Sequence, residues 1–172
     1  PFSAAIVAAT RSGVDASQVE ILERANSLGE VTFEDLREAV SNTYSCLDGH
    51  NIQHTETIST APWGSQTLRY DMRVPSTQDT DAAVALADEC ARLFSGAVET
   101  LYSSQPVEVA RQDTWRAEFV VPALRACLDD AEVPYDLDAD FAELNDVAFA
   151  AAAGGGNQQL KECVVNISET GF

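Results

Sequence analysis

Four cysteines are the residues most able to do chemistry in this 172-residue chain: Cys46, Cys90, Cys127 and Cys163. Their number is even and their spacing wide, with no Cys-x-x-Cys, so neither a thioredoxin-type redox pair nor a common zinc site is indicated. Two structural disulfides fit the pattern, and with them an extracytoplasmic address. Four reduced cysteines in a core are the alternative. His50, His54 and Glu56 are the next candidates, alternating at the strand period. A metal site or general base starts from such a group. No serine or cysteine is locally paired with these histidines, so surface polar residues on a hairpin are the better reading.

Asp136, Asp138 and Asp140 mimic the first three ligands of an EF-hand loop. The sixth position, which requires Gly, is Phe141, and the twelfth, which requires Glu, is Val147. Glu143 and Asp146 are available to a calcium ion in another geometry, but a solvated acidic loop is favoured. Gly154, Gly155 and Gly156 precede a helix as an anion cradle does. The Lys-Ser/Thr of a P-loop is missing, and a helix stop followed by a flexible link suits them better. Trp63 sits at a hairpin tip beside Gly64. Exposed, it is a natural hot spot for a partner contact; otherwise it folds back on the hairpin or a neighbouring helix. Trp115 lies on a helical stripe and reads as core. Asn166-Ile167-Ser168 is a glycosylation sequon only in a eukaryotic secretory pathway. No residue is assigned as catalytic, cofactor-binding or metal-ligating, and no cofactor is expected.

The elements around these residues follow from periodicity. Ser3 caps a short helix over 3–12 that Gly13 stops. Asp15 or Ser17 caps a second, with Val19, Leu22, Ala25 and Leu28 inward and Gly29 at its end. Over 33–48, Phe33, Leu36, Val40, Tyr44 and Leu47 form an apolar stripe. Thr32 and Asp35 approximate a capping box there, and Gly49 is placed to end the helix in a left-handed conformation. Residues 51–60 and 66–74 alternate as a hairpin around the turn 61–65, and a helix has to cover its apolar face. Thr80 caps a long helix over 81–102, with Val84, Ala87, Cys90, Phe94, Ala97 and Leu101 as its stripe, and Pro106 follows. A helix over 112–131 buries Trp115, Phe119, Leu124, Cys127 and Leu128, and Pro122 kinks it or restarts it. After an acidic loop, a helix with Phe141, Leu144, Ala148 and Phe149 inward runs to Gly154. A last helix over 157–166 carries Leu160, Cys163 and Val164.

An internal echo orders the cysteines. Cys46-Leu47-Asp48 and Cys127-Leu128-Asp129 each end a helix, with Ile52 and Val133 equally spaced behind them; Glu89-Cys90 and Glu162-Cys163 follow in turn. Of the three possible pairings, the echo favours Cys46–Cys90 and Cys127–Cys163. The expected fold is α+β and mostly helical, with one antiparallel hairpin packed against helices and two disulfides. It comprises an N-terminal helical segment (1–29), a helix–hairpin–helix unit (30–105) and a second helical unit (106–172), a degenerate repeat sharing one core.

Composition narrows the partners. The formal net charge is −18 and 45% of residues are hydrophobic. Nucleic acid and anionic lipid surfaces require clustered Lys and Arg and are disfavoured. Basic partners and cations stay open. No apolar run reaches the ~18 residues of a membrane span. Residues 1–10 lack the basic start of a signal peptide, so an exported form has lost its signal or lipid anchor upstream of Pro1. Lys161 is the sole lysine, a bias of high-GC genomes.

The helix ending in Ser45-Cys46-Leu47, its alanine Ala39, the two strands and the helix carrying Cys90 together resemble a group of secreted proteins and lipoproteins of actinobacteria. The resemblance covers roughly residues 30–102, and more weakly 112–163. It implies a compartment and a fold but no reaction. The expected function is an exported, acidic, non-catalytic interaction module: a lipoprotein domain or accessory subunit that binds another envelope or membrane protein. The alternatives are a small-ligand or calcium carrier and a secreted hydrolase built on His50 or His54.

Overall fold

The computed structural model describes residues 2–75, 79–154 and 158–169, the side chains of 168 and 169 excepted. Its helices are α1 (Phe2–Arg11), α2 (Ala16–Leu28), α3 (Phe33–Gly49), α4 (Thr80–Phe94), α5 (Gly96–Ser104), α6 (Pro106–Trp115), α7 (Val121–Asp130), α8 (Phe141–Ala153) and α9 (Gln158–Glu169). Strands β1 (Gln53–Thr60) and β2 (Gln66–Arg73) form one antiparallel hairpin. The chain is mostly helical, as its periodicity predicts, and falls into two compact units. One comprises residues 1–59 and 66–109; the other comprises the hairpin tip, 60–65, and residues 110–172. Among the described residues, buried side chains form three clusters, each inside one unit.

Local chemistry explains the helix starts in the first unit. Asp15 caps α2 by accepting from the Ser17 N–H at 2.9 Å. Thr32 and Asp35 make the reciprocal capping box at the start of α3: the Asp35 N–H donates to Thr32 Oγ1 and the Thr32 N–H to Asp35 Oδ2. Asp35 is buried. Burial alone raises its pKa; hydrogen bonds from Thr32 and the Arg24 guanidinium outweigh that and hold it below the usual carboxylate range.

Several expectations need correction. The long helix over 81–102 is two helices, broken at Ser95 (φ −132°), and its N-cap is Asp79 rather than Thr80. The break is built around Gln18, which is fully buried. Its Nε2 donates to the carbonyls of Arg92 (3.2 Å) and Leu93 (2.7 Å), and its Oε1 accepts from the Ala97 N–H (2.7 Å). One side-chain amide thus serves the last carbonyls of α4 and an orphan donor of α5. Gln105 plays a similar part: its amide exchanges two hydrogen bonds with the backbone of Val31. A reading of apolar stripes passes over both glutamines. Leu28, Val84 and Phe149 are exposed rather than inward.

Pro122 neither breaks nor ends its helix. Residues 116–120 form a π-helical stretch between α6 and α7, with the Val121 N–H donating to the Arg116 carbonyl. A proline lacks the N–H for an α-helical bond and its ring crowds the carbonyl four residues back, which a π-bulge relieves. The wider turn also shifts the buried stripe by one position. Val120 falls inward and Phe119, expected in the core, is 61% exposed.

The echo is a repeated helix exit. After Cys46, the Asn51 N–H donates to the Asp48 carbonyl and the Ile52 N–H to the Leu47 carbonyl, both at 3.0 Å. After Cys127, the Glu132 N–H donates to the Asp129 carbonyl (3.0 Å) and the Val133 N–H to the Leu128 carbonyl (2.9 Å). These are the paired bonds of a Schellman motif, with Leu47 against Ile52 and Leu128 against Val133 as its apolar contact. The left-handed residues are Asn51 (φ 57°) and Glu132 (φ 53°), so Gly49, the expected terminator, is simply the last helical residue.

Two stability predictions follow from these devices. Gln18→Leu removes three hydrogen bonds and leaves buried backbone groups unmatched, so it lowers unfolding free energy by about 2 kcal/mol; an unchanged urea midpoint contradicts this role. Glu132→Gly relieves a left-handed side chain and raises stability by roughly 0.5–1 kcal/mol, read as a higher midpoint at unchanged slope.

Candidate functional site

Both cysteine pairs stand at disulfide distance in the order the echo favours. Cys46 joins Cys90 (Cα–Cα 5.7 Å) and Cys127 joins Cys163 (Cα–Cα 6.0 Å), with sequence separations of 44 and 36. The first pair links the last turn of α3 to α4; the second links α7 to α9. The covalent geometry is compatible with an extracytoplasmic location. Among the described residues no helix is long and apolar enough to cross a membrane.

The histidines part company. His54, on β1, stacks on Tyr44 of α3 with ring centroids 4.0 Å apart, and Tyr44 meets Tyr70 of β2 edge-on at 5.6 Å. His54 Nδ1 lies 3.5 Å from Asp48 Oδ1. Glu56, on the same strand, is exposed. This aromatic corner holds the base of the hairpin on the helices; Met72 at the base and Ile58 nearer the tip are exposed, so helical cover of the hairpin's apolar face is partial. The Tyr102 hydroxyl, donating to the Gln66 carbonyl at 2.8 Å, adds a second tie to β2. Burial drives the Tyr44 phenol well above its ordinary pKa, reinforced by the Glu56 carboxylate. His50 lies elsewhere: its ring, Cys46 Sγ and Cys90 Sγ all lie within 4.8 Å of one another.

The acidic loop makes structure with its carboxylates. Asp136 Oδ1 accepts from the Asp138 N–H, and Asp140 caps α8 in a reciprocal box with Glu143. Arg125 donates to the carbonyls of Leu137 and Ala139. Among the described residues the one group of three or more potential metal donors mutually within 4.8 Å is Cys46, His50 and Cys90, and the loop aspartates are not part of it. Gly155 and Gly156, of the glycine run, and Asn157, expected in the last helix, lie outside the described residues. Asn166 of the sequon is on α9.

Trp63 does not project as a free anchor. It is half-buried and its ring lies 5.9 Å from that of Trp115 within the second unit. Trp115 is itself only partly buried and forms one wall of an apolar groove of about 410 Å³. Phe119, Val120, Ala123, Ala126, Ile167 and the polar Asn166 line it beside the Cys127–Cys163 bond. Sequence reasoning places Trp115 and Phe119 in the core; it expects a kink or restart at Pro122, whereas π-helical relief there turns Phe119 outward. No family model matches the chain, and no curated protein or solved structure matches it either.

The aromatic corner carries its own alkaline signature. A phenol held neutral by the fold contributes stability in full below pH 10, its ordinary value. That contribution is lost as pH rises through the higher folded value. Tyr44→Phe therefore flattens the fall in stability above pH 10, measured as the urea midpoint against pH; an alkaline limb identical to the wild type contradicts the assignment.

Proposed function

We propose that the protein is an exported, acidic, non-catalytic interaction module: a lipoprotein domain or accessory subunit of a cell-envelope complex. The observation that carries this reading is the apolar groove beside Phe119. A large aromatic ring 61% exposed, next to Trp115 and Ile167, is an anchor site in a chain whose net charge is −18. A partner segment that seats an apolar side chain in the groove and carries basic residues beside it matches both features. The disulfides support the compartment, because such bonds persist where thiols are not kept reduced. The resemblance to secreted proteins and lipoproteins of actinobacteria points to the same address.

The calcium and hydrolase alternatives draw less support. Asp136 and Asp140 are spent on a turn and a helix cap, and His54 is stacked on Tyr44.

A photo-crosslinking residue at position 119, used in native envelope, gives one dominant protein adduct. Phe119→Asp in the otherwise unchanged chain reduces recovery of that partner by at least about tenfold, the loss of one hot-spot side chain. Equal recovery with Phe119→Asp, or adducts no different from those at an exposed site such as Glu20, contradicts the reading.

A further inference from the structure

We propose that Cys46, Cys90 and His50 form a zinc site when the Cys46–Cys90 disulfide is reduced. The three donors arise from two elements. Cys46 and His50 are four residues apart at the end of α3, and so share one face across one turn. Cys90 is buried on α4 and faces them. The two sulfurs and an imidazole nitrogen all lie within 4.8 Å of one another, a spread that a single ion at the centre spans. The helix exit fixes the third ligand: the His50 N–H donates to the Leu47 carbonyl at 3.0 Å, and the Schellman bonds of Asn51 and Ile52 close behind it. His50 is exposed and Cys90 is buried, so the set is open on one side and shielded on the other.

The chemistry selects the metal. Two thiolates and an imidazole are soft to borderline ligands that favour zinc over calcium or magnesium. Two thiolates, a neutral imidazole and Zn²⁺ sum to zero charge, which suits a half-buried position better than a charged centre does. Three protein ligands leave the fourth tetrahedral position to water. The Cys127–Cys163 pair serves as an internal contrast, since no histidine or carboxylate joins it in such a group among the described residues.

The bond between the sulfurs controls the site. A dithiol reductant delivers two electrons and two protons: the Cys46–Cys90 S–S bond breaks, two thiols form, and the reductant closes to its own disulfide. Zinc then binds both sulfurs and releases the two thiol protons to solvent. A disulfide oxidant reverses this: it takes two electrons from the two thiolates, is itself reduced to a dithiol with two protons from solvent, and the re-formed S–S bond leaves the ion without its sulfur ligands. The cross-link and the metal are thus alternative fastenings of the same two helices.

The test uses the full chain, reduced with a phosphine and freed of it without oxygen, with Co²⁺ as a visible probe and Zn²⁺ as competitor. The expected result is one equivalent of Co²⁺ with thiolate-to-cobalt charge-transfer absorption, displaced by Zn²⁺, and a higher melting temperature with Zn²⁺ than without. His50→Ala weakens binding by at least about tenfold, no less than loss of an outer-sphere partner costs. The Cys127→Ser/Cys163→Ser variant retains the cobalt spectrum, and the oxidised chain shows none. Binding unaffected by His50→Ala, no charge-transfer band, or a reduced chain that has lost its helical circular dichroism and does not regain it with Zn²⁺ overturns the proposal.

Discussion

A covalent bond set at the point where a helix ends is the constraint the rest of this structure depends on. Cys46 sits in the last turn of α3, one residue before the leucine whose carbonyl closes the helix exit. The disulfide fixes that turn against α4, and the exit fixes the direction in which Ile52 leaves it. The same three components, cysteine, Schellman exit and returning apolar residue, recur at Cys127, Leu128 and Val133. With separations of 44 and 36 residues, each cross-link is worth about 4 kcal/mol in the chain-entropy model. That is a large share of the ~5–15 kcal/mol by which folded domains are ordinarily stable. Each bond therefore stabilises a small alanine-rich unit with limited apolar surface to bury.

What happens between the cysteines differs. In the first unit a hairpin leaves the exit, and its base is held by Tyr44, His54 and Tyr70. In the second, α8 and the acidic loop fill the interval, with Asp140 and Arg125 holding the loop. The cross-linked ends are alike and the segments between them differ. The apolar groove belongs to the second unit, since it flanks the Cys127–Cys163 bond and owes its exposed ring to the π-helical stretch before Pro122.

Much of this was legible in the residues, for physical reasons. Capping chemistry is local, so Thr32 with Asp35, and Asp15, mark helix starts without tertiary information. Cysteine order is legible because the echo repeats a short backbone motif with fixed spacing. The misses share a cause: each depends on a contact distant in sequence or on an unusual helical turn. The break at Ser95 needs Gln18, some 75 residues earlier in the chain. The outward turn of Phe119 follows from the local accommodation of Pro122 rather than from α-helical period. Gly49 attracts the assignment of helix terminator by composition, whereas the equal placing of Ile52 and Val133 behind Cys-Leu-Asp was the better guide to Asn51 and Glu132. Strand alternation groups His50 with His54, but His50 closes the helix and lies beside the sulfurs instead.

The central claim is that each unit is closed by its own disulfide at its own helix exit. The most direct measurement is a non-reducing peptide map, by tandem mass spectrometry, of the protein isolated from its native host with free thiols blocked at lysis. The account predicts one cross-linked peptide pair joining Cys46 to Cys90 and one joining Cys127 to Cys163. A peptide joining Cys46 to Cys127 or Cys163, or four blocked and unjoined thiols, contradicts it.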